Sequence, residues 1–295
     1  DRFIKLKTFL KSKEVKMKYT IPDLKKVLEP PKEFYKPGYG LKSSKGKLEI
    51  LEQGTIPEDE QLLKKLGIKK DEKVLAIATF YASWARKLKE NGAKVDYSDI
   101  SKELTNWAKK NYKIKFGKYI CSNYELIPKK EKEYDWTFTY EACGGGKGLT
   151  LAYLRSLLNA RGGILLIHLG DKKHQIANAP KIKNYPNIVK SLSKIYNSNF
   201  SVEKKKIKAY KRGEEKVVNY EFLVSKIKTN NLARKKAKRD LLILEFVIDK
   251  DKINLKEISK KLKVNKSEIK KSLTRLSKLN KTIKKDFFKE VELNQ

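Results

Sequence analysis

A glycine-rich segment in the middle of the chain has the residue types of a nucleotide-binding loop. The segment TYEACGGGKGLT runs from Thr139 to Thr150 and places Lys147 among four glycines. A phosphate loop requires Gly-x-x-x-x-Gly-Lys followed by Ser or Thr. Here Glu141 stands where the first glycine belongs, and Gly148 stands where the magnesium-binding hydroxyl belongs. The segment is therefore not predicted to bind a nucleoside triphosphate as a phosphate loop does.

The chain carries a large excess of positive charge. Its 295 residues include 70 Lys and Arg against 35 Asp and Glu, which gives a formal net charge of +35. Such an excess attracts polyanions and releases their condensed counterions on contact, so we expect a nucleic-acid partner. A solvated surface without a partner and contact with anionic membranes are the alternatives.

Several function classes are disfavoured by what the sequence lacks. No run of about 18 apolar residues is present, so no membrane-spanning helix and no membrane partner are expected. Two cysteines, Cys121 and Cys143, and two histidines give neither a disulfide framework nor a zinc-site spacing, and no metal is predicted. The start DRFIKLKTFL is basic and lacks the apolar core of a signal peptide, so we expect a cytoplasmic location.

Strand-like and helix-like segments alternate through residues 46–228, the predicted central domain. Strand-like runs occur in KKDEKVLAIATF, AKVDYSDIS, KYICSN, YDWTFTYEA and GGILLIHLG, with helical stretches such as LTLAYLRSLLNA between them. This alternation predicts an α/β domain with a mostly parallel sheet and helices on both faces. The last part, from FSVEKKKIKAY to EFLVSKIK, predicts a hairpin of two long strands that closes the edge of the sheet.

Two further units flank the central domain. Residues 1–45 are predicted to form a basic, helical N-terminal arm that leads into a mobile loop, YKPGYGLKSSKG. Residues 232–295 contain a helix, two further helices joined by a short turn, and the segment KTIKKDFFKEVEL, which we interpret as a β-wing. This unit resembles a winged helix-turn-helix domain. Its apolar residues recur at helical spacing in two sets: Leu255, Ile258, Leu262 and Val264, then Ile269, Leu273, Leu276 and Leu279.

The central domain resembles the class I S-adenosylmethionine-dependent methyltransferases, from Leu66-Gly67-Ile68 onwards. The resemblance covers roughly residues 50 to 228 and implies a Rossmann-like, seven-stranded, mostly parallel sheet. In this family the first strand ends in an acidic residue and a Gly-x-Gly-x-Gly turn, which lets the backbone approach the cofactor. Here Ala76 replaces the acid, and Ala78, Phe80 and Ala82 replace the glycines.

The resemblance also implies which residues hold the cofactor, S-adenosylmethionine. Asp99 ends the second strand, where the family binds the ribose hydroxyls, and a helix N-cap is the alternative role for this residue. Ser122 or Asn123, after the third strand, is implied to lie near the adenine. The full predicted set is Ala78, Thr79, Phe80, Asp99, Ile100, Ser122 and Asn123.

The glycine-rich segment corresponds to the substrate-facing loop of the methyltransferases. RNA cytosine-C5 methyltransferases carry Asp-Ala-Pro-Cys there, and Glu141-Ala142-Cys143 is similar without the proline. Glu141 and Cys143 are thus the candidate catalytic residues, with Cys143 as a thiolate nucleophile. A small buried cysteine is the alternative. Lys147 is a candidate cationic contact to a base or phosphate.

The last of the predicted helices is the candidate recognition helix of the winged domain. With its apolar set inward, Lys270, Lys271, Thr274, Arg275 and Lys278 are expected to face outward. The charged residues among them are predicted to contact nucleic acid, while docking to a protein partner is the alternative.

Together these patterns predict a methyltransferase that acts on RNA (tRNA or rRNA), with RNA favoured over DNA as the partner. Two alternatives stay open. One is a non-catalytic nucleic-acid-binding protein with a degenerate methyltransferase fold, since the acid and the glycines of the first motif are replaced. The other is a winged-helix DNA-binding regulator.

Overall fold

The computed structural model describes residues 41–44, 47–50, 55–77, 82–99, 102–111, 113, 115–121, 130–140, 153–169, 185–211, 216–247 and 254–287. Its strands are β1 Leu41–Ser44, β2 Lys47–Ile50, β3 Thr55–Pro57, β4 Lys73–Ile77, β5 Lys94–Asp99, β6 Tyr119–Cys121, β7 Trp136–Tyr140, β8 Gly162–His168, β9 Asn199–Lys211 and β10 Val217–Lys228. Its helices are α1 Leu62–Leu66, α2 Ser83–Glu90, α3 Lys102–Asn111, α4 (residues 153–158), α5 Tyr185–Tyr196, α6 Asn231–Val247, α7 Leu255–Leu262 and α8 Lys266–Phe287. None of the described helices has the length and apolar character needed to span a membrane.

The main sheet has eight strands in the order β3-β9-β10-β8-β7-β4-β5-β6. The strands from β8 to β6 are parallel to one another, and β10, β9 and β3 are added antiparallel at the other side. The predicted α/β architecture with a mostly parallel sheet is confirmed, and so is the closing hairpin of β9 and β10. The expected number of seven strands is wrong, because Thr55–Pro57 pairs with the end of β9 and adds an eighth.

Both faces of the sheet are buried under helices, as predicted. Along β8, Ile164 and Leu166 pack on one face while Leu165 and Ile167 pack on the other, because successive side chains of a strand alternate. Residues of α1, α2 and α3 cover the first face, and residues of α4, α5 and α6 cover the second.

A glycine allows the hairpin to join the parallel strands. Gly162 begins β8 with a φ of +129°, and a Cβ at this position would lie 1.8 Å from the carbonyl oxygen of Ile227 in β10. Any side chain would therefore push β10 away from β8 at the start of their pairing. The requirement for close backbone approach explains glycine at this position.

The start of the described chain differs from the predicted mobile loop. Leu41–Ser44 pairs antiparallel with Lys47–Ile50 in a separate two-stranded sheet, so the end of the predicted loop is a strand. The rest of the predicted N-terminal arm lies outside the described residues.

The C-terminal helices pack as predicted on their apolar sides. Ile258 of α7 is buried, and so are Ile269, Leu273, Leu276 and Leu279 of α8. The predicted β-wing is wrong for residues 281–287, because α8 continues through Phe287 as one helix of 22 residues. The remainder of that segment lies outside the described residues.

Arg275 faces inward, so the prediction that it points outward for nucleic-acid contact is wrong. Its Nη2 lies 2.6 Å from Oδ1 of Asp240, which is fully buried in α6. The Tyr196 hydroxyl of α5 donates to Oδ2 of the same carboxylate at 2.8 Å. The Arg275 guanidinium therefore pairs with the buried Asp240 carboxylate of α6 and is not directed at a phosphate.

Candidate cofactor site

The order of the parallel strands creates a crevice between β4 and β7. From β4 the chain moves outward to β5 and β6, and it then returns to the other side of β4 through β7 and β8. The connections after β4 and β7 therefore diverge to opposite faces of the sheet. In open α/β sheets, ligands bind at this switch point, outside the carboxyl ends of the strands.

Asp99 lies at that edge as the last residue of β5. Its side chain is buried, with 6% of the residue exposed, and the Tyr97 hydroxyl donates to its Oδ2 at 3.4 Å. Helix α3 begins at Lys102, so Asp99 does not immediately precede the helix as an N-cap residue does. A buried carboxylate on the strand next to the switch point is an acceptor for a ligand diol.

Ala82 keeps the backbone conformation that a glycine favours. It is the third of the positions at which the methyltransferase turn carries glycine, and it precedes α2 with a φ of +56° and a ψ of +16°. This left-handed conformation costs an L-residue roughly 1–2 kcal/mol. The backbone at Ala82 thus has the conformation that glycine adopts most readily.

An aromatic cluster lies under this edge on the face covered by α2. Trp84, in the first turn of α2, stacks on Tyr140 with ring centroids 4.9 Å apart and meets the edge of Phe222 at 5.3 Å. Tyr140 is the last residue of β7. The cluster fixes the start of α2 against the end of β7, which are the two sides of the crevice.

Two buried polar atoms near the crevice have no hydrogen-bond partner among the described residues. They are Oγ1 of Thr139, which lies opposite Ile77 at the end of β4, and Nε1 of Trp84. Buried polar groups in native proteins are normally paired. They lie on opposite faces of the sheet, because Thr139 is level with Leu165 and Trp84 packs on the face of Tyr140. The fit to a polar ligand with a ribose therefore rests on the Asp99 carboxylate and the tight turn at Ala82.

The other predicted site residues lie outside the described residues, and their roles stay predictions. They are Ala78, Thr79, Phe80, Ile100, Ser122, Asn123, Glu141, Cys143 and Lys147. The strands that precede them, β4 to β7, all end at the same edge of the sheet as Asp99. No group of three or more His, Cys, Asp or Glu that could hold a metal ion occurs within the described part of the chain.

The three lysines predicted on the C-terminal helix are exposed. Lys270 and Lys278 face solvent, and Lys271 pairs with Glu268 of the same helix at 2.9 Å. Their contact with nucleic acid stays a prediction, now without Arg275. Sequence reasoning missed the network of Arg275 with Asp240, since the two residues lie 35 positions apart and no periodicity links them.

The comparisons with known proteins find only distant structural similarity. No family model and no curated protein matches the sequence. Among solved structures, the chain is similar to a magnesium protoporphyrin IX methyltransferase from Synechocystis with bound S-adenosylmethionine, at 15% identity and a TM-score of 0.39, covering 57% of this chain and 76% of that one. It is also similar to a TehB-like S-adenosylmethionine-dependent methyltransferase from Corynebacterium glutamicum, at 13% identity and a TM-score of 0.39, covering 57% and 86%. A third is the precorrin-6y C5,15-methyltransferase from Geobacter metallireducens, at 12% identity and a TM-score of 0.38, covering 56% and 83%. At these levels the similarity carries no information on the reaction or the substrate.

Proposed function

We propose that this protein is an S-adenosylmethionine-dependent methyltransferase that acts on RNA. The observation that carries the proposal is the buried Asp99 at the carboxyl end of β5, beside the switch point between β4 and β7. Dinucleotide-binding folds use an acidic residue at the equivalent place to bind ribose hydroxyls. The strand order and the acid therefore support one nucleoside-containing cofactor at this edge.

The described residues fit the parts of such a cofactor. Asp99 accepts hydrogen bonds from the ribose, the turn at Ala82 lets the backbone come close, and the ring of Tyr140 supports the side of the crevice from β7. When bound, S-adenosylmethionine supplies an electrophilic methyl group on a sulfonium sulfur. The candidate catalytic residues Glu141 and Cys143 lie one and three residues after Tyr140 in the sequence.

The charge of the chain supports RNA as the substrate. A net charge of +35 favours a polyanion over a small neutral substrate. Contacts to phosphates make binding strongly dependent on salt, which separates this proposal from a small-molecule methyltransferase.

A non-catalytic RNA-binding protein is the second candidate, and one observation favours it. Ala76 is fully buried near the end of β4, where the methyltransferase resemblance implies a carboxylate. Without that acid, one polar contact to the cofactor is absent. The two candidates differ in cofactor binding and agree on RNA binding.

Isothermal titration calorimetry with S-adenosylmethionine and with S-adenosylhomocysteine tests the proposal. We expect saturable heat with both ligands and transfer of a labelled methyl group from S-adenosylmethionine to RNA. No heat at millimolar ligand, from a protein that binds RNA, would reject the enzyme in favour of the non-catalytic protein.

A further inference from the structure

The β9–β10 hairpin extends far past the end of the parallel strands. β7 ends at Tyr140, which is level with Leu166 of β8, and Leu166 is paired with Val224 of β10. Val224 is in turn paired with Glu203 of β9. Residues 204–211 of β9 and 217–223 of β10, here called the overhang, therefore lie beyond the end of β7. Residues 206–211 and 217–221 of this overhang lie beyond the end of β8 as well.

One face of the overhang carries a row of exposed lysines. Lys204, Lys206 and Lys208 occupy alternate positions of β9, so their side chains leave the strand on the same face. All three are exposed, and the side chain of Lys204 is 60% exposed. The opposite face is different, because Ile207 and Ala209 are buried in the core. The alternation thus directs charge to one side and apolar contact to the other.

The spacing of this lysine row matches an extended nucleic-acid strand. Alternate residues of a β-strand are roughly 6.6–6.8 Å apart, so the row spans roughly 13 Å. That repeat is comparable to the distance between successive phosphates of an extended single strand. Duplex RNA is recognised mostly by shape, across two successive minor grooves that span about 16 base pairs, and a row of this length does not cover that distance.

The position of the row relative to the candidate cofactor site is fixed by the sheet. β9 is separated from β7 by β8 and β10, and three strand spacings of about 4.8 Å amount to roughly 14 Å. The row lies on the same face of the sheet as α4, α5 and α6, and these helices cover that face alongside β8. An RNA strand held on the row therefore begins level with the carboxyl edge at Lys204 and extends beyond it along β9, to one side of the place where methyl transfer is proposed.

One acidic residue lies within this surface. Glu221 is paired with Lys206 across the hairpin, and its Oε2 lies 2.7 Å from Nζ of Lys204. The hydrogen bond from Lys204 lowers the pKa of Glu221, so the carboxylate is charged at neutral pH. Three lysines against one glutamate leave a net positive face. For Lys206 and Lys208 no ion pair occurs within the described residues.

We infer that the lysine row of the β9–β10 overhang is a docking surface for single-stranded RNA, which holds the substrate backbone beside the candidate cofactor site. The inference rests on the proposed function for the identity of the substrate. β9 is paired with β3 only at Ala209–Lys211, and lysines on the rest of an outer strand also protect a sheet from pairing with other chains, a role that needs charge but no ligand. RNA affinity therefore separates docking from edge protection.

The test uses the full chain and a labelled single-stranded RNA, titrated over a range of salt by fluorescence anisotropy. We expect Lys204→Thr/Lys206→Thr/Lys208→Thr to weaken binding by about tenfold and to reduce the salt slope by about two charges. Threonine keeps the strand propensity while it removes the charge. The matched control is Lys109→Thr/Lys110→Thr/Lys113→Thr, three exposed lysines at and just after the C-terminal end of α3, on the far side of the sheet. This control should bind within twofold of the wild type.

A second variant, which is expected to change RNA affinity in the opposite direction, tests the inference even if the triple variant misfolds. Glu221→Gln removes the acid from the same surface and should tighten RNA binding by about two- to threefold, with a steeper salt slope. Equal RNA affinity and salt slope in the wild type and both hairpin variants would overturn the inference. So would lost binding to anionic phosphatidylserine vesicles with unchanged RNA affinity. Calorimetry with S-adenosylmethionine on the same variants tests the proposed function separately, because cofactor binding does not depend on the lysine row.

Discussion

Arg275 of α8 donates two hydrogen bonds to Asp240 of α6, from Nε to Oδ2 at 2.9 Å and from Nη2 to Oδ1 at 2.6 Å. Partial burial alone would lower the pKa of the Arg275 guanidinium. The hydrogen bonds to the buried Asp240 outweigh this effect and raise the pKa. Burial, and next the Asp240 carboxylate, raise the pKa of the Tyr196 hydroxyl well above its usual range. Three helices thus meet at one buried charge pair.

We expect Arg275→Ala to lower the free energy of unfolding by about 3–5 kcal/mol, because it leaves the Asp240 carboxylate buried without its counter-charge. Urea denaturation measures the change. Lys270→Ala, on the exposed side of the same helix, should stay within about 0.5 kcal/mol of the wild type. Arg275→Ala/Asp240→Asn should recover part of the loss, and a double variant no more stable than Arg275→Ala would contradict the pairing.

Asp99→Ala should weaken S-adenosylmethionine binding by about 1.5–3 kcal/mol, the scale of a hydrogen bond to a charged group. Calorimetry gives the affinity, and thermal unfolding shows whether the variant is folded. Asp96→Asn is the matched control: Asp96 is buried in the same strand, but it accepts the Tyr134 hydroxyl at 2.8 Å and lies three residues before the carboxyl edge. Wild-type affinity in a folded Asp99→Ala protein would place the ribose elsewhere.

Ala82→Gly is expected to stabilise the fold by up to about 1 kcal/mol, because glycine adopts the left-handed conformation without the clash of a Cβ. The change should appear as a higher midpoint in thermal or urea unfolding. Ala85→Gly, inside the same helix, should do the opposite and destabilise by about 1 kcal/mol. A loss of stability in both variants would mean that the turn at Ala82 carries no strain.

The stability of the chain should depend on pH through Asp59. Burial alone would raise the pKa of Asp59, but hydrogen bonds from Lys65 and from the backbone N–H of Gln61 outweigh it and lower the pKa. A lowered pKa in the folded state means that Asp59 stabilises the fold above its unfolded pKa of about 3.9, and that this contribution is lost as pH falls through the folded value.

Asp59→Asn should therefore cost about 1–2 kcal/mol at pH 7 and progressively less below about pH 4. Urea unfolding at a series of pH values measures both proteins. Asp71→Asn removes an exposed acid that lies 3.5 Å from Lys94, and it should have little effect at any pH. A cost of Asp59→Asn that does not vary between pH 7 and pH 3 would contradict the pairing with Lys65.

The alternation of strand and helix was sufficient to predict the sheet and its two covered faces. Apolar runs such as that of β8 are local signals, and the pairing of β9 with β10 was found where the sequence placed the hairpin. β3 was missed because a strand of three residues has no periodicity and exists only through its pairing with β9. Tertiary context also determined where the last helix ends. The segment after Asn280 was interpreted as a β-wing, but α8 continues to Phe287.

The candidate site was predictable in part. The position of Asp99 at a strand end was predicted from the methyltransferase resemblance, and β5 ends at this residue. The positive φ of Ala82 could not be predicted from the residue type, because alanine rarely adopts it. Only the alignment of this position with a glycine of the methyltransferase turn suggested it. The prediction placed Arg275 on the outer face because helical spacing assigns polar residues to that face. The buried Asp240 on another helix pairs with this arginine and holds it on the inner side.

The packing of α8 against α5 has a consequence for how the chain comes apart. Leu279 joins Tyr196 and Leu192 in one core cluster with residues of α4 and β8, so the C-terminal helices complete a face of the sheet. Detaching them would expose these side chains to water and separate the Tyr196 hydroxyl from the Asp240 carboxylate. We therefore expect the described sheet and the C-terminal helices to unfold in one shared transition. A truncation before Asn231 removes part of the core rather than an appendage.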